Sequence, residues 1–300
     1  MKRISAHSKF RKTVSFGFAA LALLCGTAAN ASVIDLGDAA GFSVLTYNSN
    51  NTSDSAFQGG PIGVVNGNWV QSGGQQTNAQ QPTTVYLSSG FTNNGPSVET
   101  TVYNAGLLNS AWTSATNASA AFAALTPTQT LGAITTGRTI TETAVGNYVL
   151  SISSINLNQS ALVLSAPVGS TFVINISGNI TLNGGNPGNG LLLAGGLTAN
   201  DVVYNLTGTN SSLTTSGGTN AQTINGIILA TGANASVNLH PGGVNGEVIA
   251  QTFTSSSGAL VTTTPMTAVP ETNTALPLAA VLGLVFAGPF VRRRKQVAVA

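Results

Sequence analysis

The 300-residue chain has one cysteine and two histidines, and only 6% of its residues are charged. With Cys25 alone, no internal disulfide and no thiolate metal cluster can form. No lysine occurs between residues 13 and 294, and Arg138 is the only arginine between residues 13 and 291. A surface without cations gives a phosphate backbone nothing to hold, which excludes nucleic acid as a partner. His240 is the only histidine beyond the first ten residues and sits in the turn His240-Pro241-Gly242-Gly243. A Ser-His-Asp triad needs a positioned base, and a turn histidine is expected to be a solvated corner. No three His, Cys or carboxylate residues share ligand spacing, so no metal and no cofactor are expected. Glycoside hydrolysis needs only two carboxylates, and Asp35, Asp38, Asp54, Glu99, Glu142, Asp201 and Glu247 are its scattered candidates. Arg138 is expected to pair with Glu142, four residues on.

The missing positive charges are concentrated at the two ends. Lys2, Arg3, Lys9, Arg11 and Lys12 precede an apolar run from Val14 to Cys25, followed by Ala29-Asn30-Ala31. A basic region, a short apolar core and small residues in that order describe a secretory signal, residues 1–31, cut between Ala31 and Ser32 with Ala29 and Ala31 in the peptidase pocket. Removal of that segment takes Cys25 with it. At the other end Val269-Pro270-Glu271 precedes an apolar stretch from Ala275 to Val291, then Arg292-Arg293-Arg294-Lys295. The stretch would form a helix of about 26 Å, short for a hydrocarbon core of about 30 Å. The basic run would stay cytoplasmic.

The body between these ends carries seven carboxylates against one arginine, so its solubility rests on Asn, Ser, Thr, Gln and Gly. Alternation identifies strands: Phe172, Ile174 and Ile176 face one way, Ile180 and Leu182 follow a Gly178-Asn179 turn, and Val202, Tyr204 and Leu206 repeat the pattern. Ile224-Asn225-Gly226-Ile227-Ile228-Leu229-Ala230 returns twenty residues later as Val244-Asn245-Gly246-Glu247-Val248-Ile249-Ala250, with a looser copy at Val65-Asn66-Gly67-Asn68-Trp69-Val70. A period of that length fits one rung of a β-solenoid, with Asn-Gly at the corner and the following apolar residues inside; two separate hairpins are the alternative. From Asn109 to Leu125 an alanine-rich stretch places Ala111, Ala115, Ala118, Phe122 and Leu125 at helical spacing, ended by Pro127. The expectation is an all-β chain: a β-solenoid (parallel β-helix) over residues 32–258 with one flanking α-helix, a Ser/Thr-rich linker over 259–268, and an N-terminal signal helix and a C-terminal hydrophobic helix at the ends.

Two resemblances follow from these residues. Val269-Pro270-Glu271, the apolar stretch and the arginine run resemble the PEP-CTERM sorting tail, residues 269–300, with Thr272 where that family has a second proline. The resemblance implies processing by an exosortase in a Gram-negative bacterium, after transient inner-membrane tethering. Leu36-Gly37-Asp38-Ala39-Ala40-Gly41-Phe42-Ser43-Val44-Leu45, the alanine-rich helix, Gly146-Asn147-Tyr148-Val149-Leu150 and the later strands resemble choice-of-anchor A domains and the related ice-binding-like adhesin domains. That resemblance implies a surface solenoid without a catalytic role. Two functions stay open: a structural or adhesive protein of an exopolysaccharide or biofilm matrix, and an ice-binding protein. Ice binding calls for a flat Thr-rich face, and strict Thr-x-Thr arrays are missing. A secreted glycoside hydrolase is the third reading.

Overall fold

The computed structural model describes residues 34–264 apart from 49, 73–83, 96–98, 185–187 and 218–221. The signal residues Ala29, Ala31 and Ser32, the motif Val269, Pro270 and Glu271, the run Arg292, Arg293, Arg294 and Lys295, and both expected terminal helices lie outside the described residues. Among the described residues, no helix is long and apolar enough to cross a membrane.

The body is a stack of coils whose strands pair in parallel on three faces. The first ladder runs through Gln129–Ile134, the first half of Asn147–Asn158, Thr171–Ile176, Val202–Leu206, Ile227–Ala230, Val248–Ala250, Val44–Thr46, Ile62–Val64, Thr84–Leu87 and Thr100–Tyr103. The second begins with the other half of Asn147–Asn158, which turns the corner, and continues through Ile180–Asn183, Ser212–Ser216, Ser236–Leu239, Thr252–Ser255, Asn50–Ser53, Trp69–Ser72 and Asn93–Asn94. The third joins Arg138–Thr141, Ala161–Ser165, Gly190–Ala194, Gln222–Asn225, Gly242–Asn245, Leu260–Thr262 and Ala56–Gln58. The twenty-residue repeat is one coil: Ile224 pairs with Val244 and Asn225 with Asn245. The looser copy is not part of that corner, because Asn66 and Gly67 follow the first-face strand Ile62–Val64 whereas Asn225 and Asn245 end third-face strands. The solenoid also extends past residue 258. Leu260–Thr262 pairs on both sides, and so the stretch read as the start of a linker completes the last coil.

Spatial order differs from chain order. The first coil, beginning at Val44–Thr46, lies between the last coil and Ile62–Val64. From there the chain winds out to Thr100–Tyr103 and enters the helix Ala105–Ala123. That helix, about 28 Å long at 1.5 Å per residue, returns the chain along the flank toward the far end of the stack, where Gln129–Ile134 restarts the coils. It begins four residues before the alanine pattern, because Asn104 Oδ1 accepts the Leu107 N–H at 3.0 Å and caps the first turn.

The helix explains why first-face strands are buried on both sides. Phe172, Ile174 and Ile176 fill the solenoid interior, while Val173, Val203, Leu229, Ile249 and Leu45 point outward into a second core with Leu108, Ala111, Ala115 and Phe122. Burial of each larger side chain contributes about 1.5–3 kcal/mol. A polar lock fixes the register. Ser119 Oγ donates to Asn205 Oδ1 (2.7 Å), Asn205 Nδ2 donates to Ser119 O (3.0 Å) and Asn175 Oδ1 (2.8 Å), and Asn175 Nδ2 donates to Phe122 O (2.7 Å). Asn205 is fully buried, so Asn205→Ala strands three partners in a dry site. Urea unfolding should show a loss of about 2 kcal/mol, and a variant as stable as the parent would show that the lock carries no energy.

At the corner between the third and first faces, Gly246 has φ 147° and a Cβ there would sit 2.2 Å from Gly226 O. Only glycine permits that conformation and that approach, which is why the repeat reads Asn-Gly in both copies.

Candidate functional site

The three faces differ in what they offer. The helix covers the first. On the third, outward positions mix apolar Val163, Leu192 and Leu260 and the side-chain-free Gly243 with Thr223, Asn225, Asn245 and Thr262. The second keeps its outward positions part-exposed among the described residues. Its strands alternate buried and part-exposed positions, and parallel pairing stacks the outward residues in columns along the solenoid axis, about 4.8 Å apart.

The central column runs Asn156, Thr181, Thr214, Asn238, Thr254, Asn51 and Val70, each in register with the next. On one side Ser212, Ser236 and Thr252 align; on the other, Asn158, Asn183 and Ser216 do. None of these strands carries a charged side chain. Neighbours within the array hold one another in place. Thr254 Oγ1 donates to Asn238 Oδ1 at 2.5 Å, Asn238 Nδ2 to Ser236 Oγ at 3.2 Å, and Ser216 Oγ to Asn183 Oδ1 at 2.5 Å. Hydroxyls and amides already fixed by such bonds lose little entropy when a second ordered surface meets them. Inward neighbours on the same strands, Ile180, Leu182, Leu213, Val237 and Phe253, are buried to within 1% of completely, which makes the backing rigid.

None of the titratable groups stands in these columns. His240 is half-buried at the edge of this face, its N–H donating to Thr215 Oγ1 at 2.8 Å and its ring Nδ1 bonded to Ser256 Oγ. The expected Arg138–Glu142 pair does not form: Arg138 is exposed at the end coil, with no ion pair among the described residues, while the Glu142 backbone N–H donates to Ser165 O at 2.8 Å. Glu247, just past the Asn-Gly corner, is fully buried. Burial pushes its carboxyl up to about 7, against the opposing pull of the Gly41 N–H, which donates to Oε1 at 2.7 Å. Burial likewise raises Glu99 to about 7, opposed by hydrogen bonding from Asn93. Among the described residues no three His, Cys, Asp or Glu side chains converge as a metal site would require.

A parallel β-solenoid with a flanking helix and one face lined by uncharged hydroxyls and amides is therefore the class to which the chain is assigned. Residues 24–261 match the family described as an ice-binding-like adhesive domain, and the chain belongs to that family. Solved structures with the same fold include an ice-binding protein from the Antarctic ascomycete Antarctomyces psychrotrophicus (19% identity, TM-score 0.52, covering 78% of this chain and 99% of that one). An ice-binding protein with antifreeze activity from an Arctic yeast is 20% identical with TM-score 0.56, covering 80% and 98%. A Shewanella frigidimarina ice-binding protein domain is 18% identical with TM-score 0.53, covering 77% and 98%. No curated protein matches the chain.

Proposed function

We propose that this domain binds ice through its second face. One observation carries the reading: a column of Asn and Thr through six successive strands, Asn156 to Asn51, flanked over part of its length by Ser, Thr and Asn, repeating about every 4.8 Å, uncharged and backed by a buried layer. Ice presents a flat lattice of water donors and acceptors with no charge to recognise. A protein face can hold such a lattice only if its own groups are coplanar, regularly spaced and already ordered, since ice contributes no single strong contact. Fixed charges would keep a hydration shell of their own and oppose the match. Strict Thr-x-Thr arrays at a fixed period are missing, and the Thr and Asn positions line up from coil to coil. Membership of the ice-binding-like adhesive family supports the same reading.

The purified chain should show thermal hysteresis and shape ice crystals; neither effect at millimolar protein would remove the proposal. The basic and apolar ends support export to the cell surface of a Gram-negative bacterium, through signal peptidase and then an exosortase acting near Pro270 and Glu271, with transient inner-membrane tethering. An adhesive role in an exopolysaccharide or biofilm matrix is the second reading, favoured by the amides of Asn156, Asn158, Asn183 and Asn238 on the same face. No catalytic residue is assigned under either reading.

A further inference from the structure

We infer that a second, separate site lies at the edge of the third face and takes a neutral oligosaccharide chain. It arises from unequal coil lengths. The corner after Asn225 is the single residue Gly226, and that after Asn245 is Gly246-Glu247, whereas Gly190–Ala194 is separated from Val202–Leu206 by seven residues. The longer corner overhangs its narrower neighbours and leaves a cleft of about 540 Å³ with Leu193 and Leu197 along one wall and Asn200, Asn225, Asn245 and Thr264 around the rest.

Its chemistry is amphipathic without charge. Leu193 and Leu197 offer an apolar wall suited to the C–H side of a pyranose ring. Opposite them the amides form a relay: Asn225 Nδ2 donates to Leu191 O at 3.1 Å, and Asn245 Nδ2 donates to Asn225 Oδ1 at 3.2 Å. Such a chain polarises its last member, and Asn245 is exposed with its Oδ1 unpartnered among the described residues. Asn200 Nδ2 holds the far rim by donating to Thr264 O at 3.3 Å. A sugar hydroxyl supplies the donor that the Asn245 oxygen lacks. Asp201, next to the lining residue Asn200, is committed to its own turn, accepting from the Thr198 N–H at 2.7 Å and the Thr198 hydroxyl at 2.6 Å. Among the described residues no lysine or arginine lines the cleft, so acidic sugars meet no counter-charge from them. The ligand class is thus a neutral glycan, and this site does not rest on the ice reading.

The test is a ¹⁵N NMR titration of the whole protein with neutral hexasaccharides of glucose, mannose, galactose and xylose, and with oligogalacturonate as the acidic control. At least one neutral oligomer should shift the amides of Leu197, Asn200, Asn225 and Asn245. Asn245→Ala, at an exposed position that leaves the core untouched, should weaken that binding at least tenfold with an unchanged melting temperature. Thr214→Tyr on the second face should leave it unaltered. Absence of shifts with every neutral oligomer overturns the site, as do shifts produced only by oligogalacturonate, shifts centred on the second face, or binding that Asn245→Ala does not change.

Discussion

Phe57→Ala should lower the unfolding free energy by about 3–5 kcal/mol, reducing the melting temperature by roughly 10 °C in a domain of this size. Phe57 belongs to the first coil and is fully buried. Its ring meets Trp69 of the second coil at 5.4 Å and Phe253 of the last coil at 6.1 Å, both edge-on. Edge-to-face pairs add about 0.5–1.5 kcal/mol each beyond their burial. The effect is large because of where the ring sits. Nothing covalent joins the first coil to the last across this seam; the ladders Val44–Thr46 with Val248–Ala250 and Ala56–Gln58 with Leu260–Thr262 do so, and the aromatic stack fills the interior behind them. Calorimetry or urea titration measures the loss. A change below about 1 kcal/mol would mean that the seam is held by its backbone ladder alone.

Glu247→Gln should flatten the pH dependence of stability and leave the variant on the order of 3 kcal/mol more stable than the parent at pH 8. The sign follows from the raised carboxyl. Its folded value of about 7 lies above the ordinary 4.5, so the folded chain keeps a proton that the unfolded chain releases. That advantage is complete below about 4.5 and is lost as the pH rises to about 7, beyond which the fold holds a buried charge with no cation beside it among the described residues. Glutamine keeps an oxygen for the Gly41 N–H and has no proton to lose. Parent protein should therefore melt at a higher temperature at pH 5 than at pH 8, with Glu99 adding a smaller part in the same direction because it is partly exposed. Melting curves of both proteins from pH 4.5 to 8.5 decide the matter. Parallel pH profiles for parent and variant would rule out Glu247 as the source.

The coil was legible in the sequence where neighbouring coils use similar residues at the same length, as in Ile224–Ala230 and Val244–Ala250, and the flanking helix where alanines and Phe122 share a face. Other features were hidden for physical reasons. Joining the first coil to the last depends on short apolar strands, Val44-Leu45-Thr46 and Val248-Ile249-Ala250, that would suit several partners equally well, and only the return path through the helix selects this pairing. Leu260-Val261-Thr262 is too short to show alternation amid its Ser and Thr neighbours. Gly106 in the first helical turn conceals the start that Asn104 caps. The second face was the hardest to see. Six strands give the central column a single Asn or Thr each, as with Thr181, Thr214 and Asn238, and the column exists only once coils of unequal length are stacked in register. No local motif announces it.

The central claim is that this one face engages ice, and the most direct measurement compares ice-crystal shaping and thermal hysteresis for the parent, Thr214→Tyr and Thr113→Tyr. Thr214 is in the middle of the central column, where a tyrosine ring would rise above the plane and prop the face off a flat lattice; Thr113 is exposed on the helix. The account predicts activity in the parent and in Thr113→Tyr, with at least tenfold less hysteresis in a fully folded Thr214→Tyr. Full activity in Thr214→Tyr, or equal loss in both variants, would contradict it.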